Sequence, residues 1–386
     1  MGMRFEFATA TRIVFGAGTV SEVVPMAAAW GGRVLLVTGE AGRGCPSLTA
    51  DLVAAGIPVE HFAVVGEPTT TTAAEAVASA RQTGCETVIG LGGGSALDLG
   101  KAVAALLANG GEPLDYLEVI GRGKPITQRS APYVAIPTTA GTGAEVTRNA
   151  VLSSAEHRVK VSLRSPLMLP HVAVIDPELT YSMPSAVTAV TGLDALTQVL
   201  EPFVSRRANP LTDALCVQGL ERASRGLRRA YRDGTDRQAR EDMAATSLFG
   251  GLALANAGLG AVHGFAGPLG GMLGAPHGAI CARLLPFVME ANVRALRQRM
   301  PEAPALLRYD QVAQILTGEP DAVAADGVAW VHDLCAELGV LRLRDIGLDE
   351  SHIEQIVGKS KRSSSMKPNP VELTAEELDS ILRAAH

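Results

Sequence analysis

The sequence predicts an α/β domain built on a Rossmann-like parallel sheet, followed by an all-helical domain. Three observations support this fold class. The chain has 386 residues, whereas one hydrophobic core usually serves about 100–200 residues. The first half alternates short apolar runs with helical stretches, and helical periodicity dominates from Ser185 onward. We therefore expect domains at residues 1–183 and 184–386.

Four apolar runs in the first half have the composition of buried strands. They are Arg33–Thr38, Thr87–Leu91, Tyr133–Ile136 and His171–Ile175. Helical stretches such as Ser47–Ala55 and Thr72–Thr83 lie between them. This alternation predicts a parallel sheet with both faces covered. Two N-terminal runs, Arg4–Phe7 and Arg12–Phe15, are expected to pair at an edge.

A late helix has a clear predicted start. Thr374 and Glu377 have capping-box spacing, and Leu373 with Leu378 has the spacing of a hydrophobic staple. We therefore expect a helix to begin after Thr374.

Composition and charge exclude several classes of protein. Hydrophobic residues make up 47% of the chain, which excludes disorder, and the net charge of −6 leaves no basic excess for nucleic acid or anionic membranes. The five cysteines include no CxxC pair, which is typical of a reducing compartment. The N-terminus lacks a signal-peptide core. We expect a cytoplasmic protein.

The segment from Met243 to Ala282 contains no Asp, Glu, Lys or Arg. It is long enough to cross a bilayer, which requires about 20 apolar residues. However, it also contains many glycines, two prolines and two histidines. Buried helices are therefore the better interpretation.

Two clusters of small and polar residues follow predicted strands. Gly92-Gly93-Gly94-Ser95 comes directly after Thr87–Leu91 and precedes a helical stretch, and Pro137–Glu145 follows Tyr133–Ile136. Glycines let the backbone approach a pyrophosphate, and a helix N-terminus favours its charge. The first cluster is not GxGxxG, so a tight turn without a ligand stays open as an alternative. Two such clusters together predict a ligand crevice at the carboxyl edge of the sheet.

The helical half contains a candidate metal site. Asp194 and Gln198 are four residues apart and share a helix face, while His263 and His277 lie in the uncharged segment. Buried polar groups are costly unless they are paired or ligated. Such a set can hold Fe²⁺ or Zn²⁺. Either histidine alone is more often a satisfied core residue.

These segments resemble the iron-containing (group III) alcohol dehydrogenases over nearly the whole chain. The motifs are FGAG at Phe15–Gly18, GGGSALDLGK at Gly92–Lys101, AIPTTAGTGAEVT at Ala135–Thr147, DPELT at Asp176–Thr180, GLDALTQ at Gly192–Gln198, and GLGAVHGFAGPLGG with PHG within Gly258–Gly278. The resemblance implies a dinucleotide-binding domain and an all-helical domain with the active site in the cleft between them. It also implies hydride transfer between NAD(P)H and a small alcohol or aldehyde. We expect a homodimer in which N-terminal strands pair.

The resemblance also implies a set of cofactor-binding residues. Those expected to contact the diphosphate, the nicotinamide end, the rest of the cofactor or its ribose are Gly39, Gly93, Gly94, Ser95, Asp98, Thr138, Thr139, Thr142 and Lys160. Arg148 follows the second cluster. If its side chain faces the substrate, it would favour an anionic substrate. Pairing of Arg148 with Glu145 is the alternative.

The catalytic centre departs from the family pattern at two positions. The family's metal ligands are an Asp and three His, which correspond to Asp194, His263, His277 and, in place of the third histidine, Gln198. A further family histidine near the substrate is replaced by Gly267. A glutamine oxygen binds a divalent metal more weakly than imidazole does. Metal-assisted chemistry and metal-free reduction, as in maleylacetate reductases, therefore both stay open.

Two other functions stay open at this point. Dehydroquinate synthase resembles this fold, so a lyase that uses NAD transiently is an alternative, distinguished by the absence of net redox turnover. A non-catalytic binding protein is another, since two family histidines are absent at Gln198 and Gly267. Such a protein would bind the cofactor and turn over no alcohol or aldehyde.

The residue at position 39 predicts the cofactor preference. NAD-preferring members of the family often carry Asp here, which binds the ribose 2′-hydroxyl and repels a 2′-phosphate. This chain has Gly39. We expect kcat/KM with NADPH to equal or exceed that with NADH. Steady-state kinetics with both cofactors checks this expectation, and a large preference for NADH contradicts it.

Overall fold

The computed structural model describes residues 4–154, 156–157 and 159–386. These residues form two compact units. One comprises Ala8–Thr139 and Gly143–Ser182, and the other comprises Met183–His386 with Ala140–Thr142 and the described N-terminal residues up to Phe7. The described strands lie in the first unit and the longest helices in the second. The predicted fold class is confirmed.

The α/β unit is built on a six-stranded parallel sheet and a separate hairpin. Its strands are β1 (Arg12–Phe15), β2 (Arg33–Gly39), β3 (Val59–Val64), β4 (Cys85–Gly92), β5 (Tyr133–Pro137), β6 (Asn149–Ser154), β7 (Val159–Arg164) and β8 (Val172–Ile175). The sheet order is β1-β8-β5-β4-β2-β3, and β6 pairs with β7 in antiparallel fashion. Strand β2 shows why the central strands are continuously apolar. Leu35 and Val37 pack into the core on one face, and Val34 and Leu36 into the core on the other.

The two faces of the sheet are covered by helices of the same unit. These are α1 (Val23–Trp30), α2 (Cys45–Ala54), α3 (Thr70–Thr83), α4 (Gly94–Asn109) and the short α5 (Pro113–Tyr116). Helix α4 is the most deeply buried of them, since it packs against β4, β5 and β6. Its first turn therefore has a fixed position at the end of β4.

The N-terminal pairing was predicted only in part. The run Arg12–Phe15 forms the edge strand β1 beside β8, whereas Arg4–Phe7 forms no strand, so that prediction was wrong. Exposure of Phe5 shows that this run lacks the covered face that stabilises a strand. Strand β3 and the β6–β7 hairpin were not predicted. The expected homodimer stays a prediction.

The second unit contains nine α-helices among the described residues. They are α6 (Ser185–Val204), α7 (Pro210–Arg232), α8 (Arg237–Ala257), α9 (Ala261–Leu273), α10 (His277–Arg299), α11 (Pro304–Thr317), α12 (Ala324–Glu337), α13 (Ile353–Ser360) and α14 (Ala375–Ala385). The predicted helix start after Thr374 is confirmed. Thr374 and Glu377 form both bonds of a capping box, and Leu373 and Leu378 are buried.

The uncharged segment forms α8, α9 and the start of α10, and most of it is buried. Within the part of the chain that the structure describes, no single helix is long and apolar enough to cross a membrane. Helices α8 and α9 satisfy that criterion only as a pair, and they are bent by 97° at the break between them.

Candidate active site

Three strand ends meet at the carboxyl edge of the parallel sheet. Strands β2, β4 and β5 are neighbours and end at Gly39, Gly92 and Pro137. The N–H of Thr138 donates a hydrogen bond to the Gly92 carbonyl at 2.9 Å. A Cβ on Gly92 would lie 2.7 Å from the Ala96 Cβ and 3.1 Å from the Gly39 nitrogen. Only glycine fits at position 92, because the strand end, the helix start and the next strand approach so closely.

The N-terminus of α4 opens onto the same edge. The helix begins at Gly94, its N-cap residue Gly93 is extended, and no side chain caps it. A Cβ on Gly93 would lie 3.4 Å from the Thr139 side chain, so the two small-residue clusters are adjacent. Ser95 is half-buried in the first turn. Uncapped N–H groups beside glycines form the kind of site that binds a pyrophosphate.

Asp98 and Lys101, in the first turns of α4, hold neighbouring backbone in place. The N–H of Val151 donates to Asp98 at 3.0 Å. Lys101 is fully buried and donates to the carbonyls of Ala144 at 2.8 Å and Asn149 at 2.6 Å. Desolvation lowers the pKa of Lys101, while the Asp98 charge opposes that shift. Asp98 therefore has a structural role, and its contact with the cofactor stays a prediction.

The other predicted cofactor residues have different surroundings. Thr138 is buried directly after β5. Lys160 on β7 forms an ion pair with Glu67 at 2.6 Å. Thr142 belongs to the segment Ala140–Thr142, which is part of the helical unit. The roles of these three residues toward the cofactor stay predictions.

The pairing of Arg148 with Glu145 is not among the ion pairs of the described residues. Glu145 is buried, and burial raises the pKa of its carboxyl group to about 7, although its own backbone N–H and Lys101 oppose that shift. Its Oε2 has no hydrogen-bond partner among the described residues. Arg148 is half-buried, and its carbonyl accepts from the Ser165 N–H at 3.1 Å. The Arg148 backbone is therefore fixed without an ion pair to Glu145.

In the helical unit, one face of α6 carries three buried polar side chains. Asp194, Gln198 and Glu201 are spaced by four and three residues, which places them on one face. Their exposed fractions are 1%, 2% and 4%. The rest of α6 is largely apolar, so these groups require partners within the unit.

Glu201 joins α6 to the first turn of α9. Its Oε1 accepts from the Val262 N–H at 2.7 Å, and its Oε2 lies 2.7 Å from the Nδ1 of His263. A Cβ on Gly260 would lie 2.7 Å from the Glu201 carboxylate, so glycine at that position makes room for it. With Nδ1 engaged by a carboxylate, His263 presents its Nε2 to the other side.

His277 begins α10, and Cys281 follows it one helical turn later. The Asp194 Oδ1 lies 3.4 Å from the His263 Nε2 and 3.8 Å from the His277 Nε2. The Cys281 sulfur lies 3.8 Å from the His263 Nε2 and 3.6 Å from the His277 Nε2. One atom from each of the four residues thus lies within 4.8 Å of the others, a grouping that can hold a metal ion.

Burial and charge shift the acid–base properties of this cluster in opposite directions. Burial raises the pKa of Asp194, but the charges of His277 and His263 outweigh it and lower the value to about 2. Burial lowers the pKa of His277, but Cys281 and Asp194 outweigh it and raise the value to about 9. The pKa of His263 is also raised despite burial. Protons thus balance the acidic groups here, and a metal ion would compete for the same lone pairs.

Gln198 and Gly267, the two positions expected to depart from the family pattern, differ in how closely other residues approach them. An interaction with Gln198 contributes to the lowered pKa of Asp194, and the buried Oε1 of Gln198 has no hydrogen-bond partner among the described residues. A Cβ on Gly250 of α8 would lie 2.9 Å from the Gln198 Cβ, so the two helices are close here. A Cβ on Gly267 meets nothing within 4 Å. The ligand role of Gln198 stays a prediction.

Sequence reasoning missed Glu201 and Cys281. Both have a signal in the sequence. Glu201 lies seven residues after Asp194 and Cys281 four residues after His277, spacings that keep each pair on one helix face.

Two family models match this chain. One, described as iron-containing alcohol dehydrogenase, covers residues 10–177, and the other, described as Fe-containing alcohol dehydrogenase family, C-terminal, covers residues 188–386. The chain belongs to the iron-containing alcohol dehydrogenase family. The 4-hydroxybutyrate dehydrogenase of Cupriavidus necator is 35% identical over 359 residues, covering 91% of each chain.

Solved structures show the same similarity. A crystal structure of 1,3-propanediol oxidoreductase has a TM-score of 0.91 and 33% identity, and covers 100% of both chains. The sulfoacetaldehyde reductase of Bifidobacterium kashiwanohense, in complex with NAD⁺, has a TM-score of 0.87 and 30% identity over 100% of this chain and 99% of that one.

Family membership establishes the reaction class. The chain is an NAD(P)-dependent oxidoreductase that acts on alcohol CH–OH groups. The family uses a divalent metal, and the helical unit provides a donor set that fits one. Asp194 Oδ1 is buried without a hydrogen-bond partner among the described residues, and His263 directs Nε2 toward it. A metal site typically has such free donor atoms on ligands that neighbouring side chains orient, as Glu201 orients His263.

Loss of the Glu201 charge should weaken metal binding. In Glu201→Gln the amide can still accept from Val262, but the carboxylate that orients His263 is gone. We expect metal affinity to fall about 10- to 100-fold. Competition with a chromophoric chelator measures the affinity. Glu290→Gln, at an exposed position on α10, is the matched control, and equal affinities in both variants would show that Glu201 does not act on the metal site.

Proposed function

We propose that this enzyme interconverts a small anionic aldehyde and its alcohol, with Asp194, His263 and His277 as its catalytic metal centre. The observation that carries the centre is the convergence of Asp194 Oδ1 with the Nε2 atoms of both histidines, at 3.4 and 3.8 Å. A carboxylate and two oriented imidazoles form a typical ligand group for a catalytic divalent metal.

The chemistry requires negative charge to be stabilised on oxygen. During reduction, hydride from nicotinamide C4 reaches the carbonyl carbon, and the electron pair of the C=O bond moves to oxygen. A divalent metal held by Asp194, His263 and His277 would polarise the carbonyl and stabilise the alkoxide.

The side chains around the centre have distinct tasks. Glu201 fixes the tautomer and orientation of His263 through the 2.7 Å contact to Nδ1. His277 has a side chain that is 39% exposed, against 6% for His263. We therefore assign the substrate-facing side of the cluster to His277, and the buried, supporting side to His263.

Metal removal tests this mechanism. Protein purified without oxygen should contain about one divalent metal ion per chain by elemental analysis. Chelation should lower kcat/KM by at least about 100-fold, because the metal supplies several kcal/mol of charge stabilisation. Zn²⁺ or Fe²⁺ should restore activity. NADPH binding, measured by NADPH fluorescence, should survive chelation. Retained binding would show that the metal-free protein is folded. A fully active, metal-free preparation would eliminate the metal mechanism and favour proton donation by imidazole.

The anionic substrate class is supported by Arg148 and by the names of relatives. Two of them are a 4-hydroxybutyrate dehydrogenase and a sulfoacetaldehyde reductase, whose substrates carry a carboxylate and a sulfonate. Arg148 directly follows the AGTGAEVT motif, and its side chain is half-buried. A guanidinium binds a carboxylate or sulfonate through charge-assisted, two-pronged hydrogen bonds.

Substitution of Arg148 should change selectivity. In Arg148→Ala we expect KM for 4-oxobutanoate to rise about 10- to 100-fold, since a hydrogen bond to a charged group contributes about 1.5–3 kcal/mol. KM for butanal, which has the same chain length without charge, should stay within about twofold. Arg164→Ala is the matched control, because Arg164 lies opposite Asn149 in the same hairpin and is exposed. An equal rise for both aldehydes would refute the assignment.

A further inference from the structure

We infer that Cys281 supplies a thiolate ligand to the metal of this site, in place of the family histidine that Gln198 replaces. The resulting set of Asp194, His263, His277 and Cys281 selects Zn²⁺ over Fe²⁺. This inference rests on the proposed function, in which a divalent metal is bound by Asp194 and the two histidines.

Four of the six distances between donor atoms match a tetrahedral zinc site, and the other two lie within 4.8 Å. Zinc binds sulfur at about 2.3 Å and nitrogen or oxygen at about 2.0–2.1 Å, so tetrahedral geometry separates sulfur from nitrogen by roughly 3.6 Å and nitrogen from oxygen by roughly 3.3 Å. The Cys281 sulfur lies 3.6 and 3.8 Å from the two Nε2 atoms. The Asp194 Oδ1 lies 3.4 and 3.8 Å from them. Each of these four separations agrees with the expected value to within about half an ångström.

Cys281 differs from another buried cysteine of the same unit. Cys335 donates to the Ala282 carbonyl at 3.4 Å, and burial raises the pKa of its thiol to about 12. Such a thiol is chemically inert. The Cys281 sulfur, fully buried, instead faces the nitrogens of His263 and His277. The two buried sulfurs therefore face different partners, a backbone carbonyl for Cys335 and two imidazole nitrogens for Cys281.

Gln198 leaves the fourth ligand position to Cys281. Gln198 lies one turn after Asp194 on the same face of α6, and its buried Oε1 has no hydrogen-bond partner among the described residues. Cys281 reaches the donor group from α10, one turn after His277. With Cys281 as a ligand the site would keep four protein donors, and the substrate carbonyl would enter as a fifth ligand, an expansion that catalytic zinc allows.

Charge and softness determine which metal this set prefers. Asp194 and a Cys281 thiolate together carry two negative charges, which neutralise a divalent cation in a buried site. A thiolate is a soft ligand that favours zinc, whereas nitrogen and oxygen ligands also suit iron. The exchange of a histidine for a cysteine ligand therefore shifts the preference toward zinc.

Cobalt substitution of the full-length enzyme tests the ligand directly. Metal-free protein is titrated with Co²⁺, and absorption is recorded from the near ultraviolet to the visible. We expect a thiolate-to-cobalt charge-transfer band together with the intense visible bands of four-coordinate cobalt, and loss of both on addition of Zn²⁺. In Cys281→Ser the charge-transfer band should vanish and zinc affinity should fall at least about tenfold. Cys335→Ser is the matched control, and it should keep the charge-transfer band and the zinc affinity of the unmodified enzyme.

A double variant separates loss of a ligand from loss of the fold. In Cys281→Ser/Gln198→His the restored histidine should recover metal affinity without the charge-transfer band. Bound cobalt that lacks this band in the unmodified enzyme would overturn the inference and leave the proposed metal mechanism intact. A band that persists in Cys281→Ser would also overturn it. An enzyme that is active and binds neither Co²⁺ nor Zn²⁺ would overturn the proposed mechanism and the inference with it.

Discussion

The buried carboxylate of Glu201 is the interaction on which the candidate metal centre depends. It joins α6 to α9 through the backbone of Val262 and the ring of His263, each at 2.7 Å. A buried carboxylate is costly without such partners, and these two bonds compensate that cost. The same contact directs the free ring nitrogen of His263 toward Asp194, which lies on the same face of α6 as Glu201. The hydrogen bonds that join α6 to α9 therefore also orient the ring of His263.

The glycines around these side chains explain several of the motifs. Gly260 leaves room for Glu201, and a Cβ on Gly278 would lie 2.9 Å from the Val190 carbonyl, so α10 starts against α6. At the sheet edge, Gly92 allows a strand end and a helix start to approach closely. In each case a side chain is absent where backbone or a carboxylate must pass. The glycines in these motifs therefore allow neighbouring backbone segments to pack closely, while the other motif residues provide chemical groups.

Much of the fold follows from local patterns, and the exceptions have physical reasons. Continuous apolar runs predicted the central strands, because both faces of those strands are covered. Strand β3 carries Glu60 and His61 and lies at an edge, so its pattern is weak. Arg4–Phe7 has a strand-like pattern without a covered face. Propensity alone does not distinguish these two cases.

The site was predictable to a similar extent. Asp194, His263 and His277 were identified by family motifs, and the structure brings them together. The helical spacing of Glu201 from Asp194, and of Cys281 from His277, was also readable. What spacing cannot give is the distance between α6, α9 and α10, because side-chain packing between helices sets it. The role of Cys281 depends on that distance, so it required the structure.

The sequence resemblance implies that two family histidines are absent from this chain, at positions 198 and 267, and these positions have different surroundings. Position 198 is buried and lies one turn after Asp194, so a change to glutamine there would act on the proposed ligand set. Gly267 lies four residues after His263 on α9, and a Cβ there would meet nothing within 4 Å. A change at position 267 therefore acts on the space beside the histidines and removes an ionisable group from it. With Cys281 as the fourth ligand, as we infer, the first change would leave the metal-binding cluster intact, whereas the second would leave open space beside it.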